Sequence, residues 1–177
     1  MKRVFFTGPV VKVLAACGMI AGIGLIVFLM SGMPRPRERD RITTPAGEFS
    51  IIKPPDWIAA PAYSSETSEY IVSISCESTK SVGVGPRMIV SRLRQPQNVD
   101  HLKARGMLPL EFQSKPAMAM GKSLKRDFFY TLIFERDDEW YEIILRLPKA
   151  EDVPSTGWWE YLSSFRRGAS ATHPATP

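Results

Sequence analysis

Histidine, serine and cysteine are the side chains from which this chain could build a nucleophilic or metal-dependent site. His101 is the only histidine outside the C-terminal tail, which contains His173. A zinc site needs three or four converging ligands, and acyl transfer needs a nucleophile, a base and an orienting group. Because no motif surrounds His101, the sequence predicts no catalytic residue, no metal site and no cofactor.

Carboxylates and glycines give equally little indication of catalysis. Asp137, Asp138 and Glu139 are adjacent but fall in a predicted turn, whereas catalytic carboxylates need burial to shift their pKa values. The glycines of residues 81–86 precede a predicted strand, while phosphate-binding loops precede a helix and supply a lysine. We therefore predict that the protein is not an enzyme, with a membrane-bound hydrolase of unrecognised site as one alternative.

The chain contains four tryptophans, Trp57, Trp140, Trp158 and Trp159, which could bind a ligand or a partner. Aromatic side chains more often form the cores of small domains, and Trp57 is predicted to be structural. Trp158 falls in an apolar stripe at helical spacing, which predicts a core position. Trp140 and Trp159 fall off the apolar faces of their predicted elements. Large exposed aromatic side chains are enriched where partners bind, so these two are the predicted contacts with a protein partner. If helices cover both faces of the sheet, Trp140 is core and only Trp159 remains a candidate.

The two cysteines predict no disulfide. Cys76 lies in a predicted strand, where it is more typical of a small buried side chain than of a reactive thiol. Cys17 ends a stretch, residues 14–17, that spells a lipobox for lipid attachment. Lys12 interrupts the preceding segment and the apolar run continues beyond Cys17, so both the lipidated and the unmodified form stay open.

A net charge of +5 is compatible with a nucleic-acid partner, but the positions of the charged residues argue against one. Seven basic and two acidic residues precede Ile42, so this excess accounts for the whole net charge and the remainder of the chain is neutral. Basic residues beside an apolar stretch favour lipid headgroups, whereas a nucleic-acid interface needs a basic folded domain. We predict no nucleic-acid partner.

Residues 13–33 are uncharged and predominantly apolar. At about 1.5 Å per residue the segment reaches roughly 30 Å, the thickness of the hydrocarbon core. The sequence thus predicts a single-pass, uncleaved anchor in the lipid bilayer, preceded by a short basic N-terminus at residues 1–12. Gly18 and Gly22 have the spacing that lets two membrane helices approach, so they are the predicted face of a helix homodimer.

The orientation of the anchor follows from the charges on its two sides. A short basic N-terminus usually stays inside, which predicts an extracytoplasmic domain, although the arginines after Met33 argue for the opposite orientation. Behind the anchor we predict a charged linker rich in proline and arginine over residues 34–46. A globular domain follows over residues 47–167, and a disordered tail over residues 168–177.

Alternating apolar residues predict an antiparallel sheet in this domain. Five strands are predicted, over residues 48–52, 70–76, 87–93, 128–134 and 141–147, with a hairpin turn at residues 135–139. Two short helices are predicted, over residues 99–105 and from residue 155 or 156 to about residue 166. The predicted fold class is α+β, an antiparallel sheet with helices packed on it as an α/β/α sandwich.

Three short motifs, taken in order along the chain, resemble a known family. They are residues 47–51 followed by 54–57, the hairpin segment 140–143, and the closing segment 161–165. Together they resemble small PsbP-like domains, from Gly47 to Phe165. The resemblance implies the same α/β/α sandwich and a non-catalytic scaffold or assembly role, and many bacterial members are secreted or membrane-tethered.

The resemblance transfers no binding residue, and nothing in the sequence indicates the photosynthetic function of the plant members. We therefore expect a membrane-anchored, non-catalytic binding or assembly module with a protein partner. A membrane-bound hydrolase and a purely structural spacer in a membrane complex are the alternatives.

Overall fold

The structure is a computed structural model of the chain, and it describes residues 33–60, 63–64, 69–79 and 85–168. Except for Met33, the predicted membrane anchor lies outside the described residues, and so do Cys17, Gly18 and Gly22. Over the described residues, no helix is both long enough and apolar enough to cross a membrane.

Strands dominate the described part of the chain. Their bounds are β1 (Arg41–Thr43), β2 (Phe49–Ile52), β3 (Trp57–Ala59), β4 (Tyr63–Ser64), β5 (Tyr70–Ser78), β6 (Arg87–Leu93), β7 (Leu108–Phe112), β8 (Lys115–Leu124), β9 (Asp127–Arg136), β10 (Glu139–Leu147) and β11 (Arg166–Arg167). Two helices accompany them, α1 (Val99–Ala104) and α2 (Gly157–Leu162), together with single 3-10 turns at Glu38–Asp40 and Val153–Ser155.

The strands form two antiparallel sheets. The main sheet has the order β3-β5-β6-β10-β9-β8-β7, with β4 also pairing with β5, and the small sheet has the order β1-β2-β11. Successive side chains of a strand point to opposite faces. In β10 the predicted apolar row is fully buried, which confirms the prediction for this strand: Tyr141, Ile143, Leu145 and Leu147. The face that carries this row is called the core face, and the opposite face is called the outer face.

Aromatic side chains from the small sheet and α2 cover the core face. Phe49 of β2 meets Tyr141 edge-on, with ring centroids 5.7 Å apart. Phe165, which follows α2, lies 4.9 Å from the ring of Phe134. Trp57 and Trp158, both predicted as structural, are buried and have ring centroids 5.6 Å apart. Removing one of these large rings typically costs about 3–5 kcal/mol, so this layer is the main source of stability.

The outer face is covered at one end by α1. The Asn98 side chain accepts hydrogen bonds from the backbone N–H groups of Asp100 and His101, and Gly106, at φ +88, follows the end of the helix. Both features confirm the predicted limits of this helix. Leu102 is buried in a cluster whose other members are Leu93, Met107, Met118 and Ile133. At the other end of the outer face, Ile89, Phe129 and Ile144 are only half-buried.

The α/β/α sandwich is wrong in detail. The α+β class and the antiparallel sheet are confirmed, but the two helices have six residues each and cannot form two covering layers. The second helix ends at Leu162 rather than at about residue 166, because residues 166–167 form β11 and pair with β2. Gln113 holds this exit by donating hydrogen bonds of 2.8 Å to the carbonyl groups of Ser163 and Phe165.

The predicted linker is also too long at its C-terminal end. The Arg41 guanidinium donates hydrogen bonds to Ser50 Oγ (3.1 Å) and to the carbonyl oxygen of Ser164 (3.0 Å). Its backbone belongs to β1, which pairs with β2. The segment from Glu38 to Thr43 is therefore part of the folded unit rather than a solvated spacer.

Candidate binding groove

A groove of about 580 Å³ opens on the outer face of the main sheet. α1, the β7–β8 hairpin, β9 and the start of β10 line it. Its apolar surface comes from Val99, Pro109, Met118, Ile133 and Trp140. We call this feature the Trp140 groove. Pockets that bind small molecules or peptide side chains typically measure about 300–1,000 Å³, so the groove is large enough to hold a ligand.

Trp140 reaches the groove because of the two-residue period of β10. It pairs in register with Glu135 of β9 and lies on the outer face. Its ring packs against the cluster that contains Leu102 and stays half-buried. The sequence offered two outcomes, an exposed Trp140 or a core Trp140. The structure gives an intermediate one, since α1 covers the outer face only in part.

The β9–β10 turn at one end of the groove has a fixed backbone. Asp137 and Asp138 adopt φ values of 50° and 63°, the left-handed conformation of a two-residue hairpin turn. The carboxylate of Asp137 accepts a hydrogen bond of 2.9 Å from Arg167 of β11. This hydrogen bond lowers the pKa of Asp137. The turn is thus tied to the C-terminal strand through the carboxylate of Asp137.

Glu139 fixes the base of the same turn. Its carboxylate accepts hydrogen bonds from the Tyr141 hydroxyl (2.6 Å) and from Arg167 Nε (3.1 Å), and it forms an ion pair with Arg92 (2.6 Å). Charge-assisted hydrogen bonds of this length are among the stronger ones in proteins. Of the three adjacent carboxylates in this segment, Glu139 therefore has a structural role, and only Asp137 and Asp138 line the groove.

The rim of the groove carries charge of both signs. Glu135 and Asp138 lie exposed at the turn, while Lys103 of α1 and Lys115 of β8 supply cations. Lys103 also contacts Asp100 at 3.5 Å. Since these ionic groups are exposed, they contribute more to orientation and association rate than to affinity. The groove thus combines an apolar floor with an acidic turn and two basic side chains.

Glu142 is a half-buried carboxyl that the sequence did not single out. It lies on the outer face two residues after Trp140, and its Oε2 atom accepts a hydrogen bond of 3.0 Å from the Tyr70 hydroxyl. Burial raises the pKa of Glu142, an effect that the bond from Tyr70 opposes. The sequence pattern gives no sign of this contact, because only the three-dimensional packing brings Tyr70 to Glu142.

Trp159, the other predicted partner contact, lies elsewhere. It is half-buried on α2 and packs against Phe112, with 5.4 Å between ring centroids. It does not line the Trp140 groove. The structure therefore does not bring the two predicted contacts into one groove: Trp140 lines it and Trp159 does not.

The remaining candidates for chemistry occupy different places. His101 is exposed on α1, and among the described residues no three side chains of His, Cys, Asp or Glu lie close enough to hold a metal ion. Cys76 is buried, as predicted, and burial raises the pKa of its thiol to about 12. A thiol that stays protonated at neutral pH is a poor nucleophile.

Solved structures that resemble the described fold include the following two. A crystal structure of a protein from Bacteroides thetaiotaomicron VPI-5482 has 10% sequence identity and a TM-score of 0.56, covering 74% of this chain and 49% of that chain. This chain spans about half the length of the Bacteroides protein. At such low identity the likeness establishes a shared fold and nothing about activity.

The second match is the solution structure of cyanobacterial PsbP (CyanoP) from Synechocystis sp. PCC 6803. It has 10% identity and a TM-score of 0.45, and covers 77% of this chain and 95% of that chain. A likeness at this TM-score carries no argument about the PsbP-like resemblance of the sequence motifs. No family model matches the sequence, and no curated protein matches it.

Proposed function

We propose that this protein is a non-catalytic binding or assembly module of PsbP-like type, tethered to a membrane by residues 13–33. In this proposal it captures an apolar segment of a protein partner in the Trp140 groove. The observation that supports the proposal is the half-buried Trp140 ring on the floor of a cavity of about 580 Å³. Tryptophan is among the residues that most often dominate the binding energy of an interface.

The charges on the rim define the chemistry of the partner. A bulky aliphatic or aromatic side chain would fill the groove above the floor, where Met118 and Ile133 are buried and Trp140 is half-buried. A lysine or arginine beside that side chain would meet Glu135 and Asp138 at the turn. We therefore expect the bound segment to carry one large apolar residue with a basic residue close to it in sequence.

Binding is a better reading of the groove than hydrolysis. A hydrolytic site needs a nucleophile and a base within hydrogen-bonding distance of each other, usually with a shifted pKa. In the Trp140 groove the polar side chains lie on the exposed rim, and the floor is apolar. Glu142, whose pKa is raised, is hydrogen-bonded to Tyr70 and is not one of the residues that line the groove.

Selection from a displayed peptide library against the full-length protein tests the proposed specificity. We expect enriched peptides to contain one large apolar residue next to a lysine or arginine. Trp140→Ala should weaken binding of the best peptide by more than about tenfold, the loss typical of a central interface residue. Selection of peptides without an apolar residue would contradict the proposal.

A matched pair of exposed residues supplies the control. Val99 lines the groove and is 41% exposed, whereas Leu124 is 55% exposed and lies outside it. Val99→Glu should reduce binding because it places a charge over the apolar floor, and Leu124→Glu should leave binding unchanged. If both variants bind as the wild type does, the groove is not the binding surface, and the spacer alternative becomes the better explanation.

The proposed membrane location needs its own experiment. Protease added to intact spheroplasts should remove the domain if it lies on the extracytoplasmic side, and full protection would contradict that orientation.

Replacing Gly18 and Gly22 by leucine should abolish crosslinked homodimers if these glycines form the helix interface. Dimers that persist in this variant would exclude the glycine pair as the contact.

A further inference from the structure

Two arginines lie directly opposite each other on the outer face, far from α1 along the strands. Arg87 of β6 and Arg146 of β10 are partners in the antiparallel register. Like charges in directly opposite positions destabilise a sheet. Each arginine has a carboxylate of its own, since Arg87 lies 3.4 Å from Glu77 and Arg146 lies 2.9 Å from Asp127. Both arginine side chains nevertheless line the same hollow.

The arginines border a hollow of about 190 Å³. The other side chains that line it are Ile89, Phe129 and Ile144, all half-buried. Ile89 pairs in register with Ile144, and Phe129 pairs with Arg146, so two neighbouring rows of the sheet form one surface. The hollow is smaller than the roughly 300 Å³ at which drug-sized ligand pockets begin, so it suits a small molecule or one end of a larger one.

The Nε–H group of Arg87 indicates which ligand chemistry suits this hollow. Its Nε atom is buried and has no hydrogen-bond acceptor among the described residues. Buried donors are nearly always satisfied by protein, water or a ligand. A guanidinium group presents its N–H groups as a fork that matches the two oxygens of a carboxylate or the oxygens of a phosphate. An oxyanion beside Arg87 would accept from Nε and also reduce the repulsion from Arg146.

We propose that this hollow binds a small anionic amphiphile, in which an oxyanion is attached to a short apolar group. The oxyanion accepts hydrogen bonds from Arg87 and Arg146, and the apolar group packs on Ile89, Ile144 and Phe129. The site is independent of the proposed function, because the hollow and the Trp140 groove share no lining residue. The same chemistry is offered by a free carboxylic acid in solution and by a fatty acid held in a bilayer.

The test uses the full-length protein in nanodiscs of zwitterionic lipid, with hexanoate as the probe. Hexanoate should raise the thermal unfolding midpoint in a concentration-dependent way, because a ligand of the native state stabilises it by mass action. Hexanol, which has the same apolar group without the charge, should have no comparable effect. Arg87→Gln should weaken the apparent affinity for hexanoate by at least about tenfold, as expected for loss of a charged hydrogen bond.

A second arm separates the two sources of the ligand. In nanodiscs that contain oleate and no free acid, the unfolding midpoint should rise only if the hollow takes a fatty acid from the bilayer. A rise with free hexanoate alone assigns the site to a soluble acid. Either rise supports the proposal when Arg87→Gln removes it. No rise in both arms, or a rise that Arg87→Gln leaves unchanged, overturns it.

Two further variants test whether Arg87→Gln acts through the hollow itself rather than through a general loss of charge or of folding. Arg126→Gln removes an exposed cation of the β8–β9 turn that does not line the hollow, and it should bind hexanoate as the wild type does. If Arg87→Gln fails to fold, Arg146→Lys keeps the positive charge but loses the fork, and it should still weaken binding. The Arg87 Nε–H resonance should shift on titration with hexanoate; a resonance that stays constant at saturation contradicts direct contact.

Discussion

The indole ring of Trp159 meets the ring of Phe112 edge-on, with 5.4 Å between the ring centroids. Phe112 is fully buried, and Trp159 is half-buried beside it on α2. The sequence placed Trp159 off the apolar stripe of its helix, and replacing a fully exposed tryptophan by alanine would cost below roughly 1 kcal/mol. The observed contact with Phe112 removes the full exposure on which that value depended.

We now expect Trp159→Ala to lower the free energy of unfolding by about 1–3 kcal/mol. An aromatic pair contributes about 0.5–1.5 kcal/mol beyond the area it buries, and the half-buried ring adds part of its own burial. Trp57→Ala is the matched control and should cost about 3–5 kcal/mol, since Trp57 is buried against Trp158. Urea unfolding of both variants gives the comparison. Equal losses would place Trp159 in the core.

Strong alternation explains which strands could be predicted from the sequence. In β10 every second residue is large and apolar, and the intervening residues are polar or half-buried, so one face was clear. The β7–β8 hairpin was missed for the opposite reason. Ala117 and Ala119 are buried but small, while Pro109 and Pro116 interrupt the pattern. Because Met118 and Met120 alternate with these alanines, β8 is apolar on both faces at residues 117–120 and shows no alternation of apolar and polar side chains.

Neither the Trp140 groove nor the Arg87–Arg146 pair could be predicted in full from the sequence. Trp140 was identified from its position in β10, but the groove around it is built partly from β7 and β8. The Arg87–Arg146 pair could not be read from the chain either, because the two residues become neighbours only through the register of β6 with β10. Long-range register is a property of the whole sheet rather than of local sequence.

Glu142 makes stability depend on pH in a defined direction. Burial raises the pKa of its carboxyl in the folded state. Below the unfolded pKa of about 4.3, both states are protonated and burial carries no penalty. As the pH rises through that value and then through the raised folded pKa, the wild type loses stability relative to Glu142→Gln. Urea unfolding between pH 3 and neutrality should therefore show the difference between the two proteins growing in favour of the variant.

The control for this pH dependence is Glu135→Gln. Glu135 is on the neighbouring strand β9 but is exposed. This replacement makes the same chemical change at an exposed position, so it measures the effect of the substitution itself. A difference between Glu142→Gln and wild type that stays constant across the range would show that burial does not shift this carboxyl.

Gly168 is predicted to tolerate no side chain. A Cβ atom at this position would lie 1.5 Å from the carbonyl oxygen of Gly47, a backbone atom that cannot rotate away. The Gly168 N–H also donates a hydrogen bond of 2.8 Å to the carbonyl group of Glu48. Gly168→Ala should therefore displace β11 from β2 and lower the free energy of unfolding by about 1–3 kcal/mol.

A second glycine separates crowding from backbone strain. Gly106 has φ +88, but a Cβ atom there would meet nothing within 4 Å. Gly106→Ala should cost about 1–2 kcal/mol from the left-handed backbone alone, and it should leave β11 in place. Hydrogen exchange of the Arg167 amide reports on β11 directly. Unchanged protection of this amide in Gly168→Ala would contradict the predicted displacement.

Removal of residues 1–33 should leave a folded domain that stays in solution. The buried apolar side chains of the described residues lie between Phe49 and Phe165, and the compact unit that contains them begins at Arg35. Residues 13–33 are instead suited to contact with lipid. We expect the fragment 34–177 to give a sharp thermal transition by circular dichroism, within a few degrees of the full-length protein. Aggregation of this fragment would show that the N-terminal segment belongs to the folded unit.

A longer deletion locates the start of the domain. Removing residues 1–43 also removes β1 and the hydrogen bonds of Arg41 to Ser50 and to Ser164. Loss of these bonds, together with one edge of the small sheet, should cost more than about 1 kcal/mol. The fragment 44–177 should therefore melt clearly below the fragment 34–177. The longer deletion is destabilising only if β1 stabilises the small sheet. Equal melting temperatures would therefore mean that residues 38–43 act as the solvated linker that the sequence predicted.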